Sequence, residues 1–169
     1  MIPPSVSNIG LYAFSQCSTL TEVSIPSAVI SISAQAFSDC TSLKTIGLPE
    51  GLKSIGEGAF QGCSSLESAV VPTSVEVITN LAFGECFSLR KITIPLGVTE
   101  IGRTAFSDSP VTIFGYKGSY AENYAFQENI SFEALPAAEP TAEPSAGPSA
   151  EPSSEPTAEP TVTHVPALK

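Results

Sequence analysis

Apolar residues recur along the first 110 residues of the chain with a fixed period. The pair Ala-Phe occurs at 13–14, 36–37, 59–60, 82–83 and 105–106, a step of 23 residues each time. Cysteines at 17, 40, 63 and 86 keep the same step, and a leucine follows three residues after each of them. Self-similarity at a period of about 20 to 50 residues is the signature of repeat architectures. The pattern therefore predicts a solenoid, in which each repeat forms one coil.

Within one repeat, strict alternation of apolar and small or polar residues predicts a strand. Ile46 and Leu48 alternate with Thr45 and Gly47, and this is the period of a strand with one buried face. Pro49 then ends the strand, because proline has no N–H to donate to a ladder. Each repeat is thus expected to contribute one short strand to a parallel sheet.

The rest of the repeat supplies further inward side chains after a turn. In the same repeat these are Leu52, Ile55, Phe60 and Cys63. Burying about eight apolar side chains contributes roughly 12–24 kcal/mol, whereas ordering the backbone of one repeat costs roughly 23–46 kcal/mol. One repeat alone cannot fold, and the coils must therefore stack on one another to share hydrogen bonds and a continuous core.

The repeat pattern L-x-x-I-x-[IL]-P-x-x-[VL]-x-x-I-x-x-x-A-F-x-x-C-x-x-L, over residues 1–110, resembles the BspA-like (treponemal type) leucine-rich repeat. The resemblance implies a β-rich solenoid of the α/β type, a right-handed coil with a parallel sheet on its concave side. It also implies export, with an extracellular or cell-surface location in bacteria. A role in adhesion or protein binding is implied as well.

The chain divides into three segments. Residues 1–110 are the repeats, and the first is truncated because Met1 falls in mid-repeat; we interpret the chain as a fragment of a longer one. Residues 111–135 are expected to form a C-terminal cap of strand, helix and strand, the helix running from about Tyr120 to Glu128 behind a capping box. In residues 136–169 proline recurs every fourth residue up to Pro160, which predicts a disordered, extended linker.

Charge and composition exclude several functions. The chain has 7 basic and 17 acidic residues and a net charge of −10, which argues against nucleic acid and against a polybasic membrane contact. It has no apolar run long enough to insert into a bilayer. Its one histidine, His164, lies in the linker, so neither a metal site nor a catalytic acid–base pair is expected. The sequence thus predicts no cofactor and no enzymatic activity.

The cysteines at 17, 40, 63 and 86 allow three interpretations. Reduced thiols that fill the turn of each coil fit the vertical ladder best. Disulfides between neighbouring coils are a second possibility, because strands about 4.8 Å apart bring the Cα atoms within bonding range. A metal site is the third and fits least well, because the spacing is unlike that of zinc ligands.

The outward side chains of the strands form a candidate binding face. By alternation and stacking, the residues on or beside this face are Thr21, Glu22, Ser24, Lys44, Thr45, Glu67, Ser68, Arg90, Lys91 and Thr93. They are small, polar and mixed in charge, and we expect no aromatic anchor among them. Such a face favours weak or multivalent binding.

Together these features favour a non-enzymatic protein-binding or adhesion module of an exported bacterial cell-surface protein, presented on the linker. The partner would be a protein, such as a host or matrix protein. Two alternatives stay open: a passive structural stalk, and an accessory domain of a larger secreted enzyme. The sequence leaves the oligomeric state open, although an uncovered amino end would invite self-association.

Overall fold

The protein is described here by a computed structural model that covers residues 2–136. Within this range, eleven short strands and one helix follow one another along the chain. Their bounds are β1 Asn8–Ile9, β2 Glu22–Ser24, β3 Ser31–Ile32, β4 Thr45–Gly47, β5 Ser54–Ile55, β6 Ser68–Val70, β7 Val77–Ile78, β8 Lys91–Thr93, β9 Glu100–Ile101, β10 Thr112–Gly115, α1 Tyr120–Gln127 and β11 Ser131–Ala134. The predicted linker lies outside the described residues, apart from Pro136.

The strands form two parallel sheets, which confirms the predicted solenoid. The six-stranded sheet has the order β2-β4-β6-β8-β10-β11, and the five-stranded sheet has the order β1-β3-β5-β7-β9. Neighbouring strands from β1 to β9 pair with a shift of one repeat, so that Ser68 lies opposite Thr45 on one side and Lys91 on the other. Each coil therefore repeats the path of the coil before it.

The five-stranded sheet is a feature that the sequence analysis did not predict. Each of its strands has two residues, as at Ser31–Ile32 and Ser54–Ile55. Alternation is recognisable over about four residues or more, so a two-residue strand leaves no periodic signal. The inward residues Ile32, Ile55 and Ile78 are nevertheless fully buried, as their column in the sequence predicts.

A column of stacked phenylalanine rings runs through the core. Phe14, Phe37, Phe60, Phe83 and Phe106 follow one another with ring centroids 5.0, 5.4, 5.2 and 5.7 Å apart and nearly parallel planes. The backbone N–H of each of the first four donates to the carbonyl of the Ala that precedes the next Phe, at 2.7–2.9 Å. The same residues thus hold adjacent coils together by packing and by hydrogen bonds.

The segment after the last coil covers the end of this column. Tyr124 in α1 packs edge-on against Phe106, with ring centroids 6.0 Å apart, and its hydroxyl donates to the carbonyl of Arg103. Ser119 caps the helix, because its hydroxyl accepts from the N–H of Glu122. The Glu122 carboxylate accepts from the N–H of Gly118 instead of the N–H of Ser119, so the capping box is closed one residue earlier than predicted.

Replacing a ring in the middle of the column is expected to destabilise the whole solenoid. Phe60 is fully buried between two rings, so Phe60→Ala should lower the free energy of unfolding by about 3–5 kcal/mol. Phe126→Ala is the matched control, since Phe126 is 88% exposed, and it should change stability by less than about 0.5 kcal/mol. Chemical denaturation measures both, and equal effects would contradict the stacked column.

A second prediction concerns the close approach of two coils at Gly56. A Cβ atom at Gly56 would lie 2.6 Å from the backbone carbonyl carbon of Ser33, whereas a Cβ at Gly10, at the equivalent position of the first coil, would meet no atom within 4 Å. Gly56→Ala should therefore cost about 1–3 kcal/mol of stability, and Gly10→Ala should be neutral or slightly stabilising. Thermal denaturation of the two variants tests this, and a neutral Gly56→Ala would refute the close approach.

Candidate binding face on the six-stranded sheet

The side chains of the six-stranded sheet that point away from the core form what we call the outer face. The middle column of this face runs from Glu22 through Thr45, Ser68 and Lys91 and continues into Thr112. The first four of these side chains are exposed. Their neighbours along each strand, such as Ile46 and Ile92, are buried, and this alternation is what positions the outer face.

The residues just before the strands form a second exposed column along the rim. The N–H of Lys44 donates to the carbonyl of Thr21, that of Glu67 to Lys44, and that of Arg90 to Glu67, each at 3.0–3.1 Å. The structure therefore brings together the ten residues named as a candidate face. Nine of the ten are exposed, and Thr93 is half-buried.

The third column contains an aromatic side chain, so the expectation of a face without one was wrong. Thr93 pairs with Val70 on one side and with Phe114 on the other. Phe114 is half-buried, and the Nζ atom of Lys91 lies 4.3 Å from the centroid of its ring. A cation over a ring is attracted by the negative charge of the π face. The expected set stopped at the fourth repeat, although Phe114 stands in the strand predicted for the next segment.

The cations of the outer face have no carboxylate partner within the described residues. Within residues 2–136 the two ion pairs are Lys53 with Glu76, beside the five-stranded sheet, and Arg103 with Glu128, at the cap. Lys44, Arg90 and Lys91 are in neither pair, and all three are exposed. Their positive charges therefore face solvent in a chain whose net charge is strongly negative.

Two hollows lie on the surface of this part of the chain. One, of about 320 Å³, lies on the outer face around Gly47, where a missing side chain leaves space between β4 and β6. The other, of about 710 Å³, lies at the first coil and is lined mainly by apolar residues such as Ile2, Val6, Phe14 and Leu20. Neither hollow contains a cluster of acid–base or metal-binding groups, and no such metal cluster occurs in residues 2–136.

The four cysteines are free thiols, which agrees with the reduced interpretation of the ladder. The thiols of Cys40, Cys63 and Cys86 each donate to a phenylalanine carbonyl of the preceding coil, at 3.1–3.2 Å. Burial raises the pKa of Cys40 to about 11 and that of Cys86 to about 12, and it raises the pKa of Cys63 further still. These three thiols therefore stay protonated and act as packing groups and hydrogen-bond donors.

The last coil keeps this hydrogen bond with a different residue. Ser109 stands at the cysteine position, and its hydroxyl donates to the carbonyl of Phe83 at 2.7 Å. The same oxygen accepts from the N–H of Cys86. The sequence analysis treated Ser109 as a lost marker of the repeat, whereas the structure shows that serine preserves the contact between coils.

Comparison with known proteins places these observations in a family. A profile of the BspA type leucine rich repeat region matches residues 1–113 in six copies. No functionally curated protein sequence matches the chain. Among residues 2–136, the helix is too short and too polar to cross a membrane.

Several solved structures share the fold. A leucine-rich repeat protein from Bacteroides ovatus aligns with a TM-score of 0.59 at 40% identity, over 62% of this chain and 30% of that one. A leucine rich cell surface protein from Faecalibacterium prausnitzii aligns with a TM-score of 0.67 at 32% identity, over 79% and 35%. A leucine rich repeat protein from T. pallidum gives 0.56 at 26% identity, over 78% and 70%. The chain spans about a third of the length of the first two relatives.

Thiol reactivity tests the state of the cysteine column. At pH 8 to 9 a thiol reagent should react quickly with Cys17, which is half-buried, and slowly with the three buried thiols, whose pKa values are raised. After unfolding without reductant, all four should react. Fewer than four reactive thiols in the unfolded chain would demonstrate disulfides, and rapid reaction of all four in the native chain would contradict their burial.

Proposed function

Because the chain belongs to the BspA-type leucine-rich repeat family, we propose that it is a non-enzymatic protein-binding or adhesion module of an exported bacterial cell-surface protein. The observation that carries the proposal is the outer face. It is a continuous exposed sheet surface that contains cations without carboxylate partners. The F. prausnitzii relative, which is described as a cell surface protein, supports the location.

The chemistry of the described residues supports binding over catalysis. A nucleophilic thiol must ionise near neutral pH, and the pKa values of Cys40 and Cys86 are raised instead to about 11 and 12. Residues 2–136 contain no histidine that could act as a general base. The stalk and the accessory domain of a secreted enzyme remain the alternative functions that the experiment below separates from binding.

In this proposal each segment has one task. Residues 1–110 carry the binding face, residues 111–135 cover the last coil, and residues 136–169 are the spacer that presents the module. The partner is a protein, such as a host or matrix protein, and it contacts the ten candidate residues of the outer face and its rim. Because these side chains do not contribute to the core, they are free to be selected for binding.

Charge reversal on the outer face tests this function. The variant Lys44→Glu, Arg90→Glu, Lys91→Glu should keep its fold, because all three side chains are exposed. It should bind immobilised collagen, laminin or fibronectin, used as matrix-protein probes, at least about tenfold more weakly than the natural chain does. Surface plasmon resonance with the full chain measures the difference.

The matched control is Lys53→Glu, which changes a cation beside the five-stranded sheet. It should leave binding unchanged apart from a small effect on stability, because its ion pair with Glu76 is exposed. Equal loss of binding in both variants would contradict a role for the outer face. If the natural chain binds none of the probes, adhesion to matrix proteins is refuted and the stalk is favoured.

A further inference from the structure

The repeats provide an internal comparison that separates folding from function. Because the coils repeat without insertion, the position of every exposed residue can be compared with the equivalent position in the other coils. The scaffold accepts Ser18, Thr41 and Ser64 at one such position, but the coil that contains β8 has Phe87 there, and its side chain is 57% exposed. The core does not require this ring, so folding does not explain it.

The same coil departs from the others at two further exposed positions. Arg90 stands where the first coil has Thr21, and Lys91 stands where the preceding coil has Ser68. Lys91 in turn lies over the ring of Phe114 on the next strand of the sheet. Aromatic residues and arginine are the side chains that most often dominate binding energy in protein interfaces.

These departures lie together on the six-stranded sheet. The N–H of Thr112 donates to the carbonyl of Arg90, and Thr93 separates Phe114 from Val70, which is 64% exposed. Phe87 precedes Arg90 by three residues in the turn that leads into β8. We call this set the β8 patch; it consists of Val70, Phe87, Arg90, Lys91 and Phe114.

The charge of the β8 patch is opposite to that of the chain around it. Residues 2–136 carry twelve acidic and six basic side chains, and two of the six basic ones are Arg90 and Lys91. Neither forms one of the ion pairs found in this range, although Glu67 and Glu133 lie in the same sheet region at the two sides of the patch. Exposed apolar side chains next to unpaired cations complement carboxylates that alternate with apolar groups.

We propose that the β8 patch is the docking site for an extended acidic segment of the protein partner, in which carboxylates bind Arg90 and Lys91 and an apolar side chain packs against Val70 and Phe114. The inference rests on the proposed function, because it names the part of the outer face and the chemistry of the partner. Phe87 and Arg90 would contact the segment at the rim of the sheet.

Substituting residues that the other coils already carry gives the sharpest test. The variant Phe87→Ser, Arg90→Thr, Lys91→Ser, Phe114→Thr removes the patch and introduces side chains found at equivalent or neighbouring positions of the same sheet. The probe is a short labelled peptide in which glutamates alternate with leucine and phenylalanine, and fluorescence anisotropy with the full chain measures binding. The variant should bind at least about tenfold more weakly.

Two controls make the result specific. Lys53→Ser, beside the opposite sheet, should leave binding of the acidic peptide unchanged. A peptide with lysines in place of the glutamates should not bind the natural chain. Thermal denaturation of each variant verifies that it is folded, and if the fourfold variant does not fold, the single variant Arg90→Thr, which changes an exposed side chain, takes its place.

The proposal is overturned if the natural chain does not bind the acidic peptide, if the lysine peptide binds equally well, or if the fourfold variant binds as tightly as the natural chain. Its failure is distinguishable from failure of the proposed function. Matrix-protein binding that is lost on reversal of Lys44, Arg90 and Lys91 but survives the fourfold exchange would leave the binding function standing and refute the β8 patch.

Discussion

The contact between one coil and the next determines the rest of this structure. A single coil cannot bury enough apolar surface to offset the entropy of ordering its backbone, and it has no partner within itself for most of its strand hydrogen bonds. The neighbouring coil supplies both. The phenylalanine rings stack at 5.0–5.7 Å, and N–H groups beside them donate to carbonyls of the following coil. Stability is therefore a property of the stack.

The same contact explains which positions are free to carry function. Packing between coils requires Ala, Phe and Cys at fixed positions, and the bond that Ser109 makes in place of a cysteine shows that the requirement is a buried donor of suitable size. Nothing in the core requires Lys44, Arg90 or Phe87, whose side chains are exposed. A repeat protein can thus change its surface one coil at a time, and the β8 patch is where this chain differs most clearly from its own repeat.

Much of the fold could be predicted from the sequence, because its strongest signals are periodic. Alternation at Thr45 to Leu48 identified the strands of the six-stranded sheet, and Ser119 and Glu122 identified the helix α1. The five-stranded sheet was missed, because two residues such as Ser31 and Ile32 are too few to show a period. The aromatic part of the candidate face was missed for another reason: the step from β8 to β10 is 21 residues instead of 23, so Phe114 does not fall in the expected column.

Amide hydrogen exchange tests the stacking of the coils most directly. The N–H groups of Phe37, Phe60 and Phe83 donate across coils to the carbonyls of Ala59, Ala82 and Ala105. If stability resides in the stack, these three amides exchange only on global unfolding, and the free energy of exchange equals that of unfolding measured by denaturant. Exchange of the three amides as rapid as that of exposed turns, in a chain that is otherwise folded, would contradict the account.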